Sequence, residues 1–316
     1  MKAFFPVMFF LAIFLSCNNL HAGAVSYDLT IDYKDINITG KTVKSMVINN
    51  QLPGPTLEFT EGDFARIKVT NNMDVNTTIH WHGLLVPAEQ DGVPYINTLP
   101  IKPDSTFMYE FPIKQSGTYW YHSHTDLHEQ RGLRGAIVIH PKKETLEYDR
   151  DLVLLLADWT DEDPKKILAN LKKDGDYYAL KKGSVQSLYG FIRNNALGKW
   201  SKGRWTRMGS MDLSDVGYDA FLANGRKEFH FSDVKPGERI RLRIINGSTS
   251  TYFHLQAAEM KLHVVSADGI DVEPFMVDEL LIAVAETFDL IFTIPNKEAF
   301  ELRATAQDGK LVVYDH

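Results

Sequence analysis

Hydrophobic positions between Val25 and about Pro141 fall into short runs rich in Val, Ile, Thr, Phe and Tyr. Polar turn clusters separate them, among them Leu52-Pro53-Gly54-Pro55, Glu61-Gly62-Asp63 and Lys102-Pro103-Asp104. Many short strands at this spacing predict a sandwich or barrel. Asp151 to Trp159 reads as a compact apolar strand. From 160 to about 215 Lys, Asp and Gly dominate, and Asp163-Pro164 predicts a helix start continued by Ile167, Leu168 and Leu171 at helical spacing. Strand patterning resumes near Tyr218 and runs to the last residues. Its punctuation is Asn224-Gly225, Asn246-Gly247, Asp268-Gly269 and Asp308-Gly309, dipeptides that favour tight turns because both residues tolerate positive φ.

The expected fold is therefore all-β, with a first domain over 25–145, a connecting strand and partly helical insertion over 146–215, and a second domain over 216–316. The opening residues differ from the rest. Lys2 precedes an apolar run from Phe4 to Leu15, too short for a membrane span, and residues 1–24 are read as a secretory signal peptide. Ala22-Gly23-Ala24 offers a cleavage site, while Leu15-Ser16-Cys17 offers the competing reading of a lipoprotein anchored through Cys17. No later apolar run is long enough to cross a bilayer, so a periplasmic location is expected.

Composition changes this picture little. The chain has 316 residues, 44% hydrophobic and 24% charged, which allows a sizeable core and about two domains. Its net charge is -7 with scattered Lys and Arg, so no nucleic-acid surface is indicated. Cys17 is the single cysteine. A mature chain starting after it has neither an internal disulfide nor a thiolate for a metal.

The candidate chemistry lies in two histidine pairs. His80-Trp81-His82-Gly83 follows the strand-like Thr77-Thr78-Ile79, and Trp120-Tyr121-His122-Ser123-His124 follows Ser116-Gly117-Thr118. Side chains alternate faces along a strand, so His80 and His82 share one face and His122 and His124 share another. If the two strands pair, four imidazoles converge. Imidazole suits copper, zinc, iron and nickel, and a four-histidine set without thiolate or carboxylate is most easily read as copper. His128, His140, His230, His254 and His263 stand singly and read as surface or core residues. His21 leaves with the signal, and His316 is the terminus.

The stretch from Thr78 to Ile139 resembles the first cupredoxin domain of multicopper oxidases. The resemblance rests on His80-Trp81-His82-Gly83, Gln90-Asp91-Gly92-Val93-Pro94, Gly117-Thr118-Tyr119-Trp120-Tyr121-His122-Ser123-His124 and Gly132-Leu133-Arg134-Gly135. Asp158-Trp159-Thr160-Asp161-Glu162-Asp163-Pro164, and the blocks from Pro236-Gly237-Glu238-Arg239 to Val284-Ala285-Glu286-Thr287, are similar to the bacterial copper-resistance branch. The resemblance implies two consecutive cupredoxin-like Greek-key β-barrels. It implies further that His80 ligates a type 2 copper, that His82, His122 and His124 ligate a type 3 pair, and that Asp91 helps deliver protons to the cluster. The competing reading of Asp91 is a plain Asp-Gly turn.

The family's cluster draws half of its histidines from a last domain, which also supplies the Cys and His of the type 1 site. Those motifs are absent from this sequence, so an expected partner is a separate chain supplying the third cupredoxin domain. Self-association through an apolar, histidine-lined face of the first domain is the other option. Arg134, Leu99-Pro100 and Pro103-Asp104 depart from the family pattern and are expected to alter loops rather than ligands. Three readings compete: part of an oxidase acting on Cu(I) or phenol-like substrates, a protein that sequesters copper without turnover, and a truncated remnant.

Overall fold

A computed structural model describes residues 23–173, 177–178, 192, 195, 197–198, 201, 216–258, 260–296, 300–307 and 311–314. Most of the expected signal peptide, including Cys17 and His21, lies outside the described residues, as do Asp308-Gly309, His316 and much of the expected insertion.

The first barrel is built from β1 (Ala24–Asn37), β2 (Thr42–Ile48), β3 (Leu57–Thr60), β4 (Phe64–Asn71), β5 (His80–His82), β6 (Ser105–Pro112), β7 (Gly117–His122) and β8 (Arg134–His140). They form two four-stranded sheets, in the orders β2-β1-β4-β6 and β3-β8-β7-β5. The second barrel uses β9 (Arg150–Trp159), β10 (Ala220–Ala223), β11 (Arg239–Asn246), β12 (Phe253–Ala257), β13 (Leu262–Ala267), β14 (Ile270–Val277), β15 (Leu280–Ile282), β16 (Thr287–Thr293), β17 (Leu302–Ala306) and β18 (Leu311–Tyr314). Its sheets run β10-β9-β11-β16-β13-β14 and β15-β12-β17-β18. Parallel pairs β1·β4, β3·β8 and β9·β11 join strands distant in sequence, so neither barrel is a simple up-and-down meander. The fold is all-β with two cupredoxin-like barrels, and the helix expected at Asp163-Pro164 is α1 (Pro164–Lys173). Among the described residues no helix is long and apolar enough to cross a membrane.

Burial follows residue parity. In β4, Ala65, Ile67, Val69 and Asn71 are buried while Phe64, Arg66 and Lys68 are exposed, which is the signature of a sheet with one wet face. β7 breaks the rule, being buried at all six positions. Its odd residues Tyr119 and Tyr121 join the first core with Trp81, Tyr109 and Phe111. On the opposite face Trp120, with Ala136 of β8, packs against Leu155, Ala157, Leu222 and Ile245 of the second barrel. β7 is thus a strand of one barrel and the surface on which the other docks.

A buried ion network locks that contact. The Thr118 hydroxyl donates to Asp289 Oδ1 at 2.6 Å and accepts from Arg243 Nη1 at 3.0 Å. Arg243 also donates to both carboxylate oxygens of Asp151, at 2.6 and 2.8 Å, and Arg241 donates to Asp289 at 2.7 Å. Two buried guanidinium groups are tolerable only because each meets carboxylates. Next to them Gly117 (φ +130°) approaches Gly269 so closely that a Cβ would meet the Gly269 carbonyl oxygen at 2.2 Å.

Two of the four turn dipeptides behave as expected, since Asn224-Gly225 and Asp268-Gly269 have positive φ at both residues. Asn246-Gly247 does not. The Asn246 amide is buried and donates to the carbonyls of Thr251 and Ile282, while its oxygen accepts from Ser248 N. Asn246 therefore ends β11 in extended form as a side-chain clamp, because three hydrogen bonds outweigh a turn preference.

Candidate metal centre

β5 and β7 pair antiparallel, with His80 opposite His122, Trp81 opposite Tyr121 and His82 opposite Trp120. Parity sends Trp81 and Tyr121 into the first core and leaves the histidines together on the other face. Nitrogens of His80, His82 and His122 all lie within 4.8 Å of one another. His124, just past the end of β7 and exposed, falls outside that set of three, but its ring centroid is 5.1 Å from His80 and 5.4 Å from His122.

His82 Nδ1 and His122 Nε2 are 3.3 Å apart. Two nitrogens bound tetrahedrally to one ion at about 2.0 Å each would be separated by about 3.3 Å, so this pair fits a shared metal. Burial lowers the pKa of His80, His82 and His124; for His82 it combines with the neighbouring imidazoles to bring the value to about 4. Neutral imidazoles are what a metal needs, and a nitrogen-only donor set suits copper.

Each flank of the cluster has a fixing group. His80 Nδ1 lies 2.8 Å from the Asp91 carbonyl oxygen and 3.2 Å from Asp91 Oδ1, so its proton points there and Nε2 is left as donor to a metal. The Asp91 carboxylate is itself held by Asn97, which donates to Oδ2 at 2.8 Å. Gly92 (φ +81°) makes the close approach possible, since a Cβ there would meet the Ile79 carbonyl oxygen at 1.8 Å.

Two contacts escape motif reading. Glu129, in a short 3-10 turn over Glu129–Arg131, meets His122 Nδ1 at 2.9 Å through Oε2. Burial works to raise the Glu129 pKa, but the hydrogen bond from His122 and the nearby Arg134 guanidinium help to outweigh it and hold it below the ordinary range. Trp120 stacks on both His122 and His82, with centroids 4.1 and 4.9 Å away. A cleft between the barrels, lined by His82, Thr118, Trp120, Asp268 and Ala285, opens beside the cluster.

The single histidines sit elsewhere. His128 is buried, with Nδ1 3.2 Å from the Thr77 hydroxyl. His140 lies near Glu58 and Asp151, His254 bonds Glu279 at 2.6 Å, and His230 is exposed. Arg134 is buried, donating to the carbonyls of Gly247 and Glu129. Leu99 is exposed, in the loop that follows Asp91.

Models of the family described as multicopper oxidase match residues 30–144 and 150–313. Copper resistance protein A of Escherichia coli is 45% identical over 291 residues, covering 89% of this chain and 48% of that protein. Copper resistance protein A of Pseudomonas syringae pv. tomato is 42% identical, with coverage of 89% and 48%. The chain spans about half the length of these curated relatives. Among solved structures, the fold matches Fet3p, a multicopper oxidase that functions in iron import, with a TM-score of 0.74 at 24% identity, over 92% of this chain and 52% of that one. It matches the laccase from Botrytis aclada with a TM-score of 0.71 at 25% identity, over 93% and 53%.

Proposed function

We propose, from the premise that this chain belongs to the multicopper oxidase family, that it carries the first-domain half of the copper cluster of a copper-resistance oxidase. His80 serves the type 2 copper, His82, His122 and His124 serve the type 3 pair, and the remaining ligands come from outside these two barrels. Copper bound there would supply the one-electron chemistry by which oxygen is reduced while Cu(I) or a phenol-like substrate is oxidised. The protein's own part is to hold neutral imidazoles at ligand spacing and to place a carboxylate, Asp91, against His80 for proton delivery. A periplasmic site of action, after removal of the leader, fits the expected signal segment. The observation that carries the reading is the 3.3 Å between His82 Nδ1 and His122 Nε2, on paired strands whose other faces are core.

Copper stoichiometry with electron paramagnetic resonance and optical spectra, on the parent chain, His80→Ala and His122→Ala, tests this. Copper bound in proportion to those histidines, without an intense blue thiolate band, is expected. Copper binding indifferent to both substitutions would sink it.

Sequestration without turnover is favoured by one observation: three nitrogens within 4.8 Å are supplied by this chain alone. Oxygen consumption with Cu(I), once a chain carrying the remaining ligands is added, separates the two readings.

A further inference from the structure

We infer that Glu129 is a positioning residue, fixing the His122 ring with its proton on Nδ1 and its Nε2 free for metal, and that the second barrel holds Glu129 in place. This rests on the reading of His122 as a metal ligand. A carboxylate can only accept, so the 2.9 Å contact from His122 Nδ1 to Glu129 Oε2 requires the proton to sit on Nδ1. The other ring nitrogen, Nε2, is the atom 3.3 Å from His82 Nδ1. Orienting partners of this kind set the tautomer and raise the basicity of a ligating histidine.

Glu129 owes its place to contacts across the domain boundary. The neighbouring Gln130 Oε1 accepts from the Thr249 hydroxyl at 2.6 Å. Arg131 donates to the carbonyls of Thr160 and Glu162, the latter at 2.7 Å. Arg134 bridges the Glu129 and Gly247 carbonyls. Every residue of the turn is therefore tied either to the cluster or to the second barrel and its connection. The second barrel is more than a spacer: through this turn it sets the direction of a ligand it does not carry.

The test reads the imidazole nitrogens of the metal-free, isotope-labelled full chain by long-range proton–nitrogen correlation, alongside copper titrations. The parent and Glu129→Gln, whose amide oxygen still accepts, are expected to show a single Nδ1-protonated His122. Glu129→Leu is expected to lose that signature and to bind copper about 10–100-fold more weakly, with Glu129→Gln within a few-fold of the parent. Thr249→Val, which leaves Glu129 intact, is expected to mix the His122 tautomers. An unchanged Nδ1-protonated His122 in Glu129→Leu overturns the role of Glu129, and unchanged His122 signals in Thr249→Val overturn that of the second barrel. If Glu129→Leu does not fold, Glu129→Ala carries the same comparison. The tautomer readout needs no metal, so the two failures are distinct: a parent chain that binds no copper sinks the functional reading, whereas a His122 tautomer unmoved by Glu129→Leu sinks the role of Glu129 alone.

Discussion

Trp120 lies flat against His122, with ring centroids 4.1 Å apart and planes 14° from parallel. The same indole covers His82 at 4.9 Å. One buried side chain thus backs two imidazoles from two strands, and it is itself gripped by Leu155, Ala157 and Ile245 of the second barrel. Ring rotation at either histidine would require the domain interface to loosen.

Quenching of tryptophan fluorescence on copper addition should follow from this stacking. Trp120→Phe is expected to bind copper but lose the larger part of the quench, whereas Trp120→Ala should cost about 3–5 kcal/mol of stability as a buried cavity opens. A fluorimetric titration beside a denaturation curve checks both, and an undiminished quench in Trp120→Phe would count against the geometry.

Histidine substitutions should divide cleanly. His82→Ala and His122→Ala are expected to abolish tight copper binding with little loss of secondary structure. His128→Ala should bind copper as the parent does, yet melt earlier, because it leaves the buried Thr77 hydroxyl without that partner. Equilibrium dialysis and circular dichroism distinguish the two classes.

Stability of the metal-free chain should depend on pH through His82. Its folded pKa, about 4, lies below the 6.5 of an unfolded histidine, so between these values the unfolded state binds more protons. Folding stability is then fully present above about pH 6.5 and falls as the pH drops towards 4; His80 and His124 act in the same direction. Urea midpoints across that range should decline, and His82→Gln should flatten the slope.

Removing Asp289 would leave Arg241 and Arg243 short of a buried counter-charge. Asp289→Ala is expected to cost about 3–5 kcal/mol, since an uncompensated buried ion costs more than the pair contributes. A denaturant titration reads this directly.

Ala285 has φ +70°, a left-handed conformation that costs a residue with a Cβ. Ala285→Gly should raise stability by about 0.5–1 kcal/mol without altering copper binding. A lower melting temperature would show that the methyl group's packing matters more than its strain.

The legible part of the site is the part governed by a two-residue period. His80 and His82 sit on one face of β5 because Trp81 needs the core, and β7 repeats the logic with Tyr121 between Trp120 and His122. Glu129 follows no such period; it returns to His122 through a turn whose course depends on Thr249, Arg134 and the second barrel. The charged network was equally hidden, because Thr118, Asp151, Arg243 and Asp289 meet only once the barrels dock. Asn246-Gly247 shows the reverse error: a turn-forming pair kept extended by partners at Thr251 and Ile282.

β7 has no free side. A slip of one residue would exchange its two faces, sending Tyr119 and Tyr121 towards the second barrel and His122 into a hydrophobic core. An inserted or deleted residue within Gly117–His122 is therefore expected to destroy the histidine cluster. An added residue beside exposed Tyr95, Ile96 or Leu99 would instead lengthen a surface loop and leave the facing of β5 and β7 unchanged.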